Sequence, residues 1–446
     1  MTTYTARRLP VHRGPAAWAA ILGEYTPGPA LDGIQTADVT IIGAGFAGLS
    51  AALRVHQLDP AARVIVLDAC AVAEGAAGRN SGFMIDLPHD LASDDYAGAN
   101  DDRQLIALNR QAQQFAQNAV EAFGIRPDYF DPVGKINGAV SDMAHAHNLS
   151  YAQHLTGLGE TSEFIDRQQM KEVTGSDYYQ SGLYTPGTVM LQPAGYIRGL
   201  TQGLKRAGVA VFENSPVHRF KRIGSGWTVE TANGKVETGK IILTTNGHLE
   251  SFGVERGRLM QIFLFASMTE ELGADALRLL GGHSRWGITP SDPMGTTMRR
   301  IDTGQGGNRV VTRTCAVLRP GLQTSAGDLA RTARVMRGKF DDRYPQLAGT
   351  RMEHVWAGHL CLSLNGVSVT RQIDDGVYSG CVQNGLGTAR GTLTGIAAAE
   401  MACGATSDVL SFFQQEERPK RLPPQPIRQI GANAVLRWRE WKARAE

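Results

Sequence analysis

The chain has 446 residues, 42% hydrophobic and 20% charged, too long for one ordinary core and too apolar for a disordered polymer. Its 45 basic and 43 acidic residues leave a formal net charge of +2, a balance that argues against a nucleic-acid binder and for small-molecule partners. The cysteines Cys70, Cys315, Cys361, Cys381 and Cys403 stand far apart with no C-x-x-C pair, which suits a reducing compartment rather than a disulfide or metal framework. The first residues lack the apolar run of a signal peptide and no stretch reaches the length of a membrane span, so the expected location is the cytoplasm.

Residues 1 to 36 form an arm punctuated by Pro10, Pro15, Pro27 and Pro29, expected to pack on the outside of the fold. Asp38-Val-Thr-Ile-Ile-Gly-Ala-Gly-Phe-Ala-Gly48 then reads as a buried strand entering a G-x-G-x-x-G turn ahead of a helix from Leu49 to Leu58. Gly43 permits the tight turn, Gly45 lets backbone approach a pyrophosphate, and Gly48 lets the helix pack close to the strand. A second strand, Arg63 to Asp68, ends on an acid about 20 residues beyond the last glycine, where a dinucleotide's ribose hydroxyls need an acceptor. The loop Glu74-Gly-Ala-Ala-Gly-Arg-Asn-Ser-Gly82 is too glycine-rich for a helix and implies a close neighbour against its backbone.

Helical periodicity runs from Asp101 to Phe123 and from Met143 to Leu158, with a strand from Lys135 to Val140 between them. From Ser181 the βαβ logic resumes: helix Pro193 to Ala207, strand Val209 to Phe212, a hairpin of Trp227–Thr231 and Lys235–Glu237 about Asn233-Gly234, and a buried strand Lys240 to Thr245. Residues 256 to 355 mix β-runs (Gln261–Met268, Thr296–Ile301, Arg309–Thr314) with a polar helix, Ser325 to Phe340. Glycine and sheet return between Val377 and Gly387, followed by a small-residue helix, Thr388 to Cys403. The tail from Glu416 is basic and proline-rich and ends in a helix whose stripe holds Ile427, Ile430, Ala434, Trp438 and Trp441.

Four blocks, taken in order, resemble the D-amino-acid-oxidase-like flavoproteins, the superfamily of glycine, sarcosine and related amine oxidoreductases. They are the turn at Asp38–Gly48, the Gly75–Gly82 loop (similar to a G-A-S-G-R-N-G-G signature), the strand Ile241-Ile-Leu-Thr-Thr-Asn-Gly247, and the turn Asn384-Gly-Leu-Gly387 opening a helix. The subgroup most similar is that of γ-glutamylputrescine oxidoreductase-like enzymes. The resemblance implies an α/β fold, a Rossmann-type FAD-binding domain (1–90, 181–255 and 356–446) interleaved with an α+β substrate domain (91–180 and 256–355) on a mixed, largely antiparallel sheet. It implies FAD held at its ADP half by Gly43, Gly45, Phe46, Ala47, Gly48, Asp68 and Ala69, with Val217 near the adenine. Arg79, Asn80, Ser81, Thr245, Gly385, Leu386, Gly387 and Thr388 would then stand around the rest of the cofactor.

Departures from the pattern narrow the chemistry. Aligned on the strand Trp356-Ala-Gly-His-Leu-Cys-Leu-Ser363, Leu360 stands where related oxidases carry an arginine for the substrate carboxylate, and Gly358 where others attach flavin to cysteine. Noncovalent FAD is therefore expected, with Cys361 pointing to the opposite face. No lysine occurs between Lys240 and Lys339, where sarcosine-type oxidases keep one to activate oxygen, so the electron acceptor is oxygen or another, unidentified species. His89 and Asp86, on the loop leaving the flavin-covering element, His359, and Arg299, which alternation turns inward if Arg300 faces water, are the candidates for amine binding or proton transfer. His145 and His147, two apart on a helix, cannot share a metal on one face, and no metal site is expected. The leading expectation is oxidation of a primary or secondary amine to an imine that hydrolyses. The alternatives are a 2-hydroxy-acid dehydrogenase and a non-catalytic dinucleotide sensor.

Overall fold

Val39–Ile42 and Val64–Leu67 are buried at every position, the signature of strands covered on both faces at the centre of a parallel sheet. In the computed structural model, which describes residues 2–88, 101–292 and 294–445, they pair in parallel within a nine-stranded sheet. Its order is Thr3–Thr5, Arg219–Ile223, Gly226–Glu230, Gly234–Leu243, Gly33–Ile42, Val64–Leu67, Ala210–Phe212, with Val377–Cys381 pairing to the far half of Gly234–Leu243 and Val369–Asp374 beyond it. The two runs expected as a hairpin strand and a separate buried strand are one ten-residue strand, Gly234–Leu243. A long parallel partner, Gly33–Ile42, holds it straight through Gly239.

Close packing of small residues sets the helical layer on one face. The helix Phe46–Leu58 starts directly at Gly45, earlier than the apolar period alone indicates. It lies against Ala389–Cys403, where a Cβ on Gly395 would stand 2.1 Å from the Ala47 carbonyl oxygen. An ion pair between Arg54 and the buried Glu400 at 2.7 Å ties the same two helices together.

The second sheet has eight strands, in the order Met352–Ser363, Leu259–Thr269, Arg309–Leu318, Thr297–Ile301, Trp286–Pro290, Lys135–Ala139, Ser181–Thr185, Glu163–Ile165. Only Trp286–Pro290 and Lys135–Ala139 run parallel among its pairs. Strands Ser181–Thr185 and Met352–Ser363 belong to this sheet, although the sequence division set 181 to 255 and 356 onward with the nucleotide unit. Register puts Gly358, Leu264, Ala266, Arg313, Thr297, Arg299, Thr289 and Asn137 on one face. That face turns toward the first sheet.

The N-terminal arm keeps most of its residues at the surface, but two parts of it are built into the fold. Thr3–Thr5 extends the nine-stranded sheet, and Trp18 is fully buried, its indole N–H donating to the Asn80 carbonyl at 2.8 Å. Proline punctuation reports irregular backbone, and irregular backbone still buries a tryptophan when its polar groups find partners.

Two glycines in helices test this packing by opposite signs. Gly395→Ala should lower stability by about 1–3 kcal/mol, because the helices Phe46–Leu58 and Ala389–Cys403 must separate. Gly338→Ala, in the helix Ala326–Arg343 with nothing within 4 Å of the added carbon, should raise it by roughly 0.5–1 kcal/mol. Denaturant unfolding of the two variants checks both signs.

Candidate functional site

Backbone geometry at the G-x-G-x-x-G turn leaves no room for side chains except on one side. Gly43 has φ +113°, in the region that favours glycine, and a Cβ there would press on the Thr244 carbonyl. A Cβ on Gly48 would lie 1.7 Å from the Gly43 oxygen, so this residue closes the strand–helix contact from behind. Gly45 differs: its added carbon would meet only the Ala77 methyl at 3.6 Å, because it faces a cavity of about 300 Å³. Asp68 accepts the Ala44 N–H at 2.7 Å and the Cys70 N–H at 2.9 Å. It therefore fixes the turn and still presents oxygen lone pairs to the cavity it lines. Burial pushes its carboxyl upward and the two N–H donors oppose that shift.

The same cavity is lined by Phe46, Ala47 and Ala69 beside the turn, by Val217, and by Thr245, Gly385 and Gly387. Asn246 Oδ1 and His248 Nδ1 are buried atoms on lining residues that find no protein partner. Such groups are costly unless a ligand satisfies them. An open face at Gly45, a carboxylate at the strand end and unpartnered polar atoms opposite are what a bound dinucleotide requires, so these residues fit FAD. Gly48, Leu386 and Thr388 are not in the lining. Thr388 instead donates its hydroxyl to the Phe83 carbonyl at 2.7 Å, which joins the helix Ala389–Cys403 to the strand after the glycine-rich loop.

That loop is held by buried cations. Arg79 donates to the carbonyls of Glu74 (2.7 Å), Gly14 (2.9 Å), Arg13 (3.2 Å) and Ala357 (3.4 Å). Asn80 spans Ala77 and Gly82 across the loop, and Ser81 follows it along the cavity wall. Arg299 is inward, but Arg300 does not face water in exchange: it is buried too, its guanidinium on the Gly281 carbonyl; nor does Arg299 reach the cavity. It is 1% exposed, donates to the carbonyls of Leu191 (2.5 Å) and Ser81 (3.2 Å) and to Gln305 Oε1 (2.9 Å), and lies over the Trp18 ring at 4.9 Å. Its expected meeting with substrate is corrected to a bracing role. Asp86 is likewise fully buried, paired with Arg110 at 3.1 Å. His89 lies outside the described residues.

Arg313, unlike Arg299, lines the cavity, as Arg8 and Arg79 do; it stands opposite Ala266 and Thr297 on the inward face. His359 lines it too, and its Nε2 meets Gln261 Oε1 at 2.9 Å. Because the Gln261 amide N–H donates to Gly247 O and Glu250 Oε2, its oxygen faces the ring. His359 therefore carries its proton on Nε2. His248 stands edge-on to it with ring centroids 5.7 Å apart, and His12, from the arm, completes the group. Burial, reinforced by Arg79, lowers His12 to about 4, and burial lowers His248 to about 4. His359 is held well below the usual imidazole value by burial, then by His248 and His12. His12, His248 and Arg313 carry no spacing signal that connects them in sequence, because irregular arm, short 3₁₀ turn and strand meet only in the fold.

Cofactor binding follows from the open face at Gly45. Gly45→Val should abolish FAD uptake, since valine fills the approach to the turn. Asp68→Ala should weaken it by roughly 10- to 100-fold, through loss of charge-assisted acceptors. Flavin fluorescence titration of apoprotein measures both, and unchanged uptake by Gly45→Val would contradict the assignment.

Comparison with known proteins agrees with this geometry. The family described as FAD dependent oxidoreductase (DAO) matches residues 38–401. The chain is 23% identical to "Probable oxidoreductase OrdL" of Rhizobium meliloti over 92% of its own length and 93% of that protein. It is 24% identical to the gamma-glutamylputrescine oxidoreductase of Escherichia coli, over 81% of this chain and 82% of that one. Its fold is similar to glycine oxidase from Geobacillus kaustophilus with a TM-score of 0.69 and 16% identity, covering 87% of this chain and all (100%) of that structure. The turn, the acid and the cavity they border thus find their explanation in descent: the chain belongs to the DAO family of FAD-dependent oxidoreductases.

Proposed function

We propose that this protein oxidises a primary or secondary amine, an amino-acid or polyamine derivative carrying a second, anionic group, in the cytoplasm. The observation that carries this reading is the charge on the cavity wall. Among the described residues, the lining holds Arg8, Arg79 and Arg313, three neutral histidines, and a single carboxylate, Asp68, at the turn. The one carboxylate among the described lining residues lies at the nucleotide end, so none of them pairs an ammonium ion beside the histidines, which favours the free amine, the form able to release a hydride. A wall of this sign also attracts a carboxylate elsewhere on the same molecule. Bound FAD supplies the hydride acceptor at flavin N5. The amine loses a hydride and a proton, and water then splits the imine into a carbonyl product and ammonia, from a primary amine, or a smaller amine, from a secondary one.

Arg313 takes the part first assigned to Arg299, the cation that meets an anionic group away from the reacting carbon. This is consistent with Leu360, which also lines the cavity, replacing the arginine of simple amino-acid oxidases. Lys135 shares the inward face by strand period, but it is not among the lining residues: its ammonium binds Asn137 Oδ1 and, at 3.2 Å, Thr289 Oγ1. The described lining contains no lysine, in keeping with an acceptor other than oxygen.

Kinetics separate the two arginines. Arg313→Ala should raise KM at least tenfold for an anionic amine and little for a neutral analogue, through loss of a charge-assisted contact. Arg299→Ala should instead lower stability, with both substrates affected alike. Equal losses for the two analogues in Arg313→Ala would remove that residue from the substrate.

The pH profile gives a second check. A histidine held near 4 stays neutral through the physiological range and is too weak a base to deprotonate an ammonium. The acid limb of kcat/KM should therefore follow the substrate: an amine of lower pKa shifts the limb to lower pH. A limb that stays fixed across amines of different basicity would assign the proton to a protein group instead.

A further inference from the structure

The C-terminal helix Ile427–Lys442 is engaged on one side only. Ala432 and Leu436 pack on Ile262, Ala316 and Leu318, Asn433 exchanges two hydrogen bonds with the Leu318 backbone, and Glu440 pairs with Arg331 at 2.7 Å. These contacts fix the helix on the eight-stranded sheet. The other flank is apolar and open: Ile427, Ile430, Trp438 and Trp441 are 67, 68, 58 and 59% exposed. With Ala434 they fall within an arc of roughly 80° at 100° per residue.

Cations border this stripe. By the same helical period Lys442, Arg428 and Arg439 lie to one side of it, with Arg437 and Arg444 on the other. Arg444 caps the Trp441 ring at 4.1 Å, and Lys442 stands 6.0 Å from that of Trp438. From Glu416 onward the chain carries eight Lys or Arg against four Glu, an excess absent from the balanced whole. A second copy of this helix would set cations against cations. A bilayer surface with anionic headgroups takes both features together, tryptophan and isoleucine at the acyl boundary and arginine and lysine among the phosphates. Among the described residues no single helix is long and apolar enough to cross a membrane, so this helix would lie in the interface.

We propose that the helix Ile427–Lys442 docks the enzyme peripherally on an anionic lipid bilayer through Ile427, Ile430, Trp438 and Trp441. The experiment sediments the full-length flavoprotein with vesicles of phosphatidylcholine alone and of phosphatidylcholine mixed with phosphatidylglycerol. Binding is expected to the anionic vesicles and to weaken as salt rises. Trp438→Ser with Trp441→Ser should reduce it at least about tenfold. Arg439→Glu with Lys442→Glu should reduce binding by about fivefold for each charge removed. Flavin content and unfolding temperature should not change in either variant, because these side chains meet solvent. Equal binding to neutral and anionic vesicles, or binding indifferent to the tryptophan changes, would overturn the proposal. So would a dimer by light scattering that the tryptophan changes dissolve while no vesicle binding occurs, since the stripe's occupant would then be a second copy.

Discussion

Two buried guanidinium groups hold the molecule's parts in the relation that makes a cavity. Arg79 reaches carbonyls of the N-terminal arm, of its own loop and of the strand Met352–Ser363, while Arg299 reaches the same loop from the second sheet. A buried cation is costly unless its donors are satisfied. Here most of the partners are backbone carbonyls, whose positions are set by the fold itself. The loop from Gly75 to Gly82 is thereby clamped between the arm and two strands of the eight-stranded sheet, and the space beside Gly45 remains open.

The same choice of partners shapes the electrostatics. Carbonyl dipoles satisfy the donors of Arg79 without cancelling its charge, and its nearest carboxylate, Glu74, stands 3.9 Å away. Burial, reinforced by that residual positive field, depresses His12; burial depresses His248, and burial followed by His248 and His12 depresses His359. Structure and proposed chemistry are linked at this point, because a cavity that refuses protons to imidazole also refuses them to an incoming amine.

The nucleotide end of the site was legible because its requirement is local. Gly43, Gly45 and Gly48 are demanded by one turn, and Asp68 by the strand beside it, so spacing alone reveals them. Arg299 shows where such reasoning ends: alternation reports the face a side chain takes, and Trp18, more than 200 positions earlier in the chain, decides that this part of the face is sealed. Arg313 sits on a strand recognised from its β-run. Its place in the wall depends on pairing with Ala266 and Thr297, which no period encodes. The buried turn of the arm escapes the sequence for a related reason, since it rests on one tryptophan and on carbonyls that carry no side-chain signal.

The claim that this cavity selects an amine is tested most directly by mixing the FAD-loaded protein anaerobically with candidate substrates and following the visible flavin absorbance. Amines that also carry a carboxylate should bleach it, and 2-hydroxy acids of matching size should not. Bleaching by the hydroxy acids with amines inert would contradict the account, and so would a flavin that no member of either series reduces.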